Sequence, residues 1–174
     1  SRALAYFDPD ALVWMLQNQA APPASLVGTL SAWKPPGVGR HYIIGADTAW
    51  GKTGSYNCAA VFEYETVEQV AELHGRIHPN DMAFEVMELH KKYNHAYMGL
   101  ERAGEGQERD GDSVVVVKKI VDLLRDCSCR SRLFYRDHMA AEPKQPGWQT
   151  DGVTRPVMLG AFREAVRERQ LTIH

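Results

Sequence analysis

Two acids close apolar runs in this chain. Asp47 follows Tyr42-Ile-Ile-Gly-Ala, and Glu101 follows Tyr97-Met-Gly-Leu. Short apolar runs bounded by turn residues read as buried strands, so each acid stands where a strand leaves the core. If the two strands are neighbours, the carboxylates meet at one sheet edge and repel each other unless a cation neutralises them. Hard oxygen donors select Mg²⁺ or Mn²⁺, and the implied chemistry is metal-dependent phosphoryl transfer. A lone strand-end acid is more often simply solvated, whereas two of them, each near a glycine, favour a site.

Other chemistries fit less well. The stretch Ala46-Asp-Thr-Ala-Trp-Gly51-Lys52-Thr53 approximates a phosphate-binding loop, but such a loop must run into a helix whose N-terminal amides hold the anion. Here the continuation reads as a strand, and an Asp inside the cradle would oppose the phosphate. Lys52 then belongs to a hairpin turn beside the acids, where it touches a substrate phosphate or is solvated. The histidines at 41, 74, 78, 90, 95, 138 and 174 lack the spacing of a helical metal pair with a glutamate between, and read as structural or surface groups. Cys127-x-Cys129 with His138 falls short of the four paired ligands of structural zinc. No G-x-S-x-G elbow supports acyl chemistry. Trp148 is open to two readings, packing or base stacking.

The rest of the composition narrows the setting. With 174 residues and a net charge of -2, the chain supports one core and does not hold nucleic acid by bulk charge alone. Three cysteines form no even framework, which fits a reducing cytoplasm. No stretch approaches the length of a spanning helix or reads as a basic-then-apolar signal segment, so neither export nor membrane insertion is expected.

The elements that must position the acids follow from periodicity and punctuation. Proline-rich residues 1–40 read as a lead-in with a short helix at 10–19. Residues 41–47, 57–64 and 67–76 read as three strands in an antiparallel meander. A helix is expected from 79 to about 93, then a strand at 96–100 ending in Glu101. Residues 113–126 pattern as a helix through Val117, Ile120, Val121 and Leu124, although the valine run favours strand. Residues 133–136 read as a fifth strand, and 154–169 as a helix with Val157, Leu159, Phe162 and Val166 as its apolar contributors. This order predicts an α/β mixed sheet flanked by helices.

The same residues carry a resemblance. Gly28-Thr-Leu-Ser-Ala-Trp33 with Pro35, Tyr42-Ile-Ile-Gly-Ala-Asp-Thr-Ala-Trp-Gly51 and Gln69-Val-Ala-Glu-Leu-His-Gly75 come in an order and spacing similar to the nuclease domain of tailed-bacteriophage terminase large subunits. Tyr93-Asn-His-Ala96, Gly99-Leu-Glu101, Leu133-Phe-Tyr-Arg136, Gly147-Trp-Gln-Thr150 and Thr154-Arg-Pro-Val-Met-Leu159 continue it across most of the chain. The resemblance implies an RNase H-like mixed sheet, with the antiparallel meander followed by parallel strands. It implies an endodeoxyribonuclease that cuts concatemeric double-stranded DNA during viral DNA packaging in the host cytoplasm. An N-terminal ATPase domain, the portal and the small terminase subunit would be its partners. Residues 1–40 would hold the interdomain linker and the first edge of the nuclease, and 41–174 the nuclease domain, truncated at its C-terminal end.

In that frame Asp47 and Glu101 are the first two catalytic metal ligands, and the complete site takes two Mg²⁺ or Mn²⁺ ions. Asp47 would bridge both ions and Glu101 would bind one. Lys52 and Arg102 are the candidate DNA contacts. Position 103 is Ala where the family often has Asn, while Gly106 matches. The family's third acid is expected downstream of a strand beginning at 171–174, so the 174-residue chain is expected to fold and cut poorly. Asp151 and Glu164 fall too early in the pattern to serve. The rival readings are a resolvase-like or RNase H-like nuclease of another pathway, and a catalytically silent docking module of the packaging motor.

Overall fold

The computed structural model describes residues 6–48, 56–103, 111–125, 130–136 and 145–174. Helix α1 (Pro9–Asn18) starts at Asp8, whose carboxylate accepts the amides of Asp10 and Ala11. This satisfies donors that a helix start otherwise leaves unpaired. A short hairpin, β1 (Ser25–Val27) and β2 (Leu30–Ala32), turns at Gly28 with a φ of 59°. It is followed by β3 (Tyr42–Asp47), β4 (Asn57–Glu63) and β5 (Glu68–Gly75), an antiparallel meander as the alternation predicts. Helix α2 (Pro79–Lys92) leads to β6 (Tyr97–Ala103), which runs parallel to β3.

Helix α3 (Gly111–Arg125) resolves the valine ambiguity. Val116, Val117, Ile120 and Leu124 are all buried at helical spacing, so packing of an apolar stripe outweighs the strand preference of β-branched residues. Together α2 and α3 cover one face of the sheet, closing a core that includes Ile44, Ala46, Val61, Leu73, Met98 and Leu100. His90 of α2 is fully buried and donates from Nδ1 to the Ala96 carbonyl at 2.8 Å. Burial depresses its pKa first, so it is a satisfied, neutral core group.

The region after α3 departs from expectation. Of residues 133–136, Leu133 makes a single bridge to Met98, while β7 (Tyr135–Arg136) turns away to pair with β8 (Gln145–Pro146) in a separate two-stranded sheet. The place beside β6 belongs instead to β9 (Trp148–Thr150), parallel to it. The main sheet is thus seven-stranded, in the order β1-β2-β5-β4-β3-β6-β9.

Of its apolar residues, helix α4 (Thr154–Arg167) buries Val166 and leaves Val157 and Phe162 exposed. Its apolar end packs with Ala11, Met15 and Leu171 in a small second core. Residues 171–174 contribute one bridge, Thr172 to Glu68, rather than a strand. No helix among the described residues is long and apolar enough to cross a membrane.

Candidate metal centre

Parallel pairing of β3 with β6 puts Ile44 opposite Met98, Gly45 opposite Gly99 and Ala46 opposite Leu100. The next register position brings Asp47 opposite Glu101. Side chains alternate along strands, so both acids leave the face that α2 and α3 do not cover. Asp47 is exposed and Glu101 half-buried. Trp148 is the register partner of Glu101 on the next strand, which makes it a sheet residue flanking the site.

The electrostatics match two acids that compete for one place. The Asp47 carboxyl is pushed up to about 6, first by burial, then by the negative charge of Glu101 and a side-chain hydrogen bond with it; Arg155 opposes the shift. Solvent reaches this side chain, yet the surrounding sheet strips enough hydration to penalise its charge. On the adjoining strand, Cys58 stands opposite Asp47, and its thiol is pushed up to about 11 by burial, Glu72 and Asp47. It stays protonated near neutral pH. Among the described residues no third His, Cys, Asp or Glu joins the acids in a cluster.

Asp47 and Glu101 are hard oxygen donors brought together on adjacent strands, with Asp47 raised in proton affinity, and such a pair fits a divalent metal. Thr48 Oγ1, Trp148 Nε1 and Thr150 Oγ1 are buried without hydrogen-bond partners at or beside these strand ends. Such orphaned groups are rare in a core and mark the site neighbourhood as incompletely satisfied.

The other candidates sort as follows. Lys52 lies outside the described residues, as do Cys127, Cys129 and His138. Of Arg102 only the strand backbone is described, in β6. The phosphate-loop alternative loses its helix, since residues 57–63 form β4. Asp151 is engaged: its Oδ1 accepts the amides of Val153 and Thr154 at 2.9 and 2.8 Å, capping α4. Glu164 pairs with Arg167. Sequence reasoning missed Arg155, the second residue of α4, because only the pairing of β9 with β6 carries that helix start to the acids.

The fold has known counterparts. The chain is similar to the large terminase nuclease of thermophilic phage G20c with bound magnesium, at 16% identity and a TM-score of 0.62, over 91% of this chain and 70% of that one. The fold is that of a phage large terminase nuclease domain. The zinc-bound form of the G20c terminase nuclease matches at 15% identity and a TM-score of 0.61, covering 91% of this chain and 77% of that chain. The large terminase nuclease domain of Thermus phage P74-26 matches at 16% identity and a TM-score of 0.56, covering 91% and 68%. No family model and no curated protein matches the sequence. At this identity the likeness to terminase nucleases establishes a shared RNase H-like architecture.

Proposed function

We propose that this chain is the nuclease domain of a viral DNA-packaging terminase, an endonuclease that hydrolyses phosphodiesters of double-stranded DNA. The observation that carries the reading is the convergence of Asp47 and Glu101 at one register step on this fold, with burial first and then its neighbour raising the proton affinity of Asp47. The magnesium and zinc forms of the G20c terminase nuclease support a divalent metal here. We assign Asp47 and Glu101 as its ligands, with Mg²⁺ or Mn²⁺ as the metal and two ions in the complete site.

Asp47, at the end of β3, would offer its carboxylate to the metal from the open face. Glu101 supplies a second oxygen donor from the adjacent strand. When bound, the metal supplies charge neutralisation at the scissile phosphate and eases deprotonation of the attacking water. The rigid, buried halves of β3 and β6 fix the spacing of the two carboxylates, so little reorganisation is needed when substrate arrives. Lys52 and Arg102 belong to the reading as DNA contacts, residues 1–40 as the lead-in that also supplies the first sheet edge, β1 and β2, and residues 41–174 as the nuclease. By the same reading the ATPase domain, portal and small subunit are partners and the host cytoplasm is the location.

Melting with added Mn²⁺ tests the assignment without requiring turnover. At about 100 times the dissociation constant, linkage raises stability by ~2.7 kcal/mol, or about 5–10 °C for a chain of this size. Asp47→Asn should lose that rise and any Mn²⁺-dependent plasmid cleavage while keeping its metal-free fold. A wild-type chain whose melting ignores Mn²⁺ is a docking module and overturns the reading.

A further inference from the structure

The open face of the sheet carries cations on both sides of the acids. On one side, β4 and β5 continue the register of Asp47 through Cys58 to His74. Adjacent strands lie about 4.8 Å apart, so His74 stands roughly 10 Å from Asp47 along the sheet. Tyr56 and His74 stack with ring centroids 5.0 Å apart and planes at 27°, and the Arg76 guanidinium lies 5.2 Å from the Tyr56 ring centre. Tyr56, His74 and Arg76 are all exposed. An exposed aromatic and cationic stack is built to meet an anion carried on a polymer.

On the other side, β9 lies next to β6 and delivers α4, whose second residue is Arg155. Arg155 is exposed and lies within electrostatic reach of Asp47. Arg40, Arg125, Arg163 and Arg167 are paired with carboxylates. Arg76 and Arg155 have no such ion pair among the described residues. Glu72, another carboxylate near this face, accepts a hydrogen bond from Gln69 at 2.8 Å. The first-turn amides at Val153 and Thr154 are already taken by Asp151, so the anion-seeking group at this helix start is the guanidinium.

We propose that the acid pair lies within a track for duplex DNA, whose backbone phosphates are held by Arg155 on one side and by Arg76, steadied by Tyr56 and His74, on the other. The proposal rests on the nuclease reading and names the surface that would present the phosphodiester to Asp47 and Glu101. Duplex DNA carries one charge per roughly 1.7 Å of axis, so cations this far apart meet separate phosphates. That explains how a chain with a net charge of -2 engages a polyanion locally.

Fluorescence anisotropy on a labelled DNA duplex in low salt with Ca²⁺ tests the track. Arg76→Ala and Arg155→Ala should each weaken binding about fivefold and lower the salt slope by about one. Arg40→Ala, equal in charge but at the opposite end of β3, should change affinity less than about twofold. Tyr56→Ala should reproduce much of the Arg76→Ala loss, and Tyr56→Phe should restore wild-type binding, since the ring face alone steadies the guanidinium. Unchanged melting temperatures separate these effects from misfolding. Losses no larger than that of Arg40→Ala, or tighter binding to duplex RNA than to duplex DNA, overturn the track. If Mn²⁺ still raises the melting temperature and the track variants bind like wild type, the track fails and the metal site stands. A chain that neither binds DNA nor responds to Mn²⁺ overturns both.

Discussion

The two faces of β3 are built for different ends from alternate residues of one strand. Tyr42, Ile44 and Ala46 are at most 5% exposed under α2 and α3, while Ile43, Gly45 and Asp47 look outward. On the inner face each side chain is held by apolar neighbours, and its contribution is stability. On the outer face Gly45 and Gly99 are register partners, and a Cβ placed on Gly45 would meet no atom within 4 Å. The strand therefore separates folding from chemistry by parity. Substitutions on the two faces should divide in the same way.

The largest expected effect is on the outer face. Asp47→Asn should weaken Mn²⁺ binding at least about tenfold by calorimetric titration, because it removes a charged hard donor, and should leave the metal-free fold in place. Loss of far-UV circular dichroism in this variant would erase the distinction between the faces. Next comes the inner face, where Ile44→Ala should cost about 3 kcal/mol in denaturant unfolding through lost burial and the cavity left behind. Its neighbour Ile43, 37% exposed, should cost under about 1 kcal/mol as alanine. Similar costs for the two would show that the outer face is covered.

How much of this was legible in the sequence depended on range. The β3 alternation, the meander and α2 follow from local periodicity and punctuation, and the structure agrees with them to within a residue or two. The convergence of Asp47 with Glu101 was conditional on strand order, which no local pattern encodes. Residues 133–136 looked like a sheet strand because their apolar content was right, yet three-residue β9 took the place through long-range pairing. Arg155 was invisible for the same cause. A strand this short offers no period to read, and the helix start after it inherits its position from the pairing alone.

A smaller effect sharpens the electrostatic half of the comparison. Asp47 has a folded pKa of about 6 against an ordinary 3.8, so folding favours its protonated form. The stability this contributes is complete below about pH 3.8 and is lost as pH rises through about 6. Metal-free wild type should therefore fall in melting temperature relative to Asp47→Asn across that window, and Mn²⁺ should close the gap at pH 7. Parallel curves for the two proteins would remove the repulsion from the account. The smallest effect is expected at Gly45→Ala, neutral or stabilising by about 0.5 kcal/mol, since alanine restricts the unfolded chain more than glycine does. Gly75→Ala, whose new Cβ would lie 2.5 Å from Thr29 Cγ2, should be destabilising instead.

The clasp between the two ends of the described chain has a mechanical meaning. Gln19, just past α1, donates to the Leu171 carbonyl at 3.0 Å and accepts from the Ile173 amide at 3.3 Å, while Phe7 meets Phe162 edge to face at 5.4 Å. Helix α1 and the far end of α4 are thereby coupled, and α4 is a strut about 21 Å long at 1.5 Å per residue. Its opposite tip carries Arg155. The two ends of the described chain are thus fastened to the same strut whose other tip borders the acid pair.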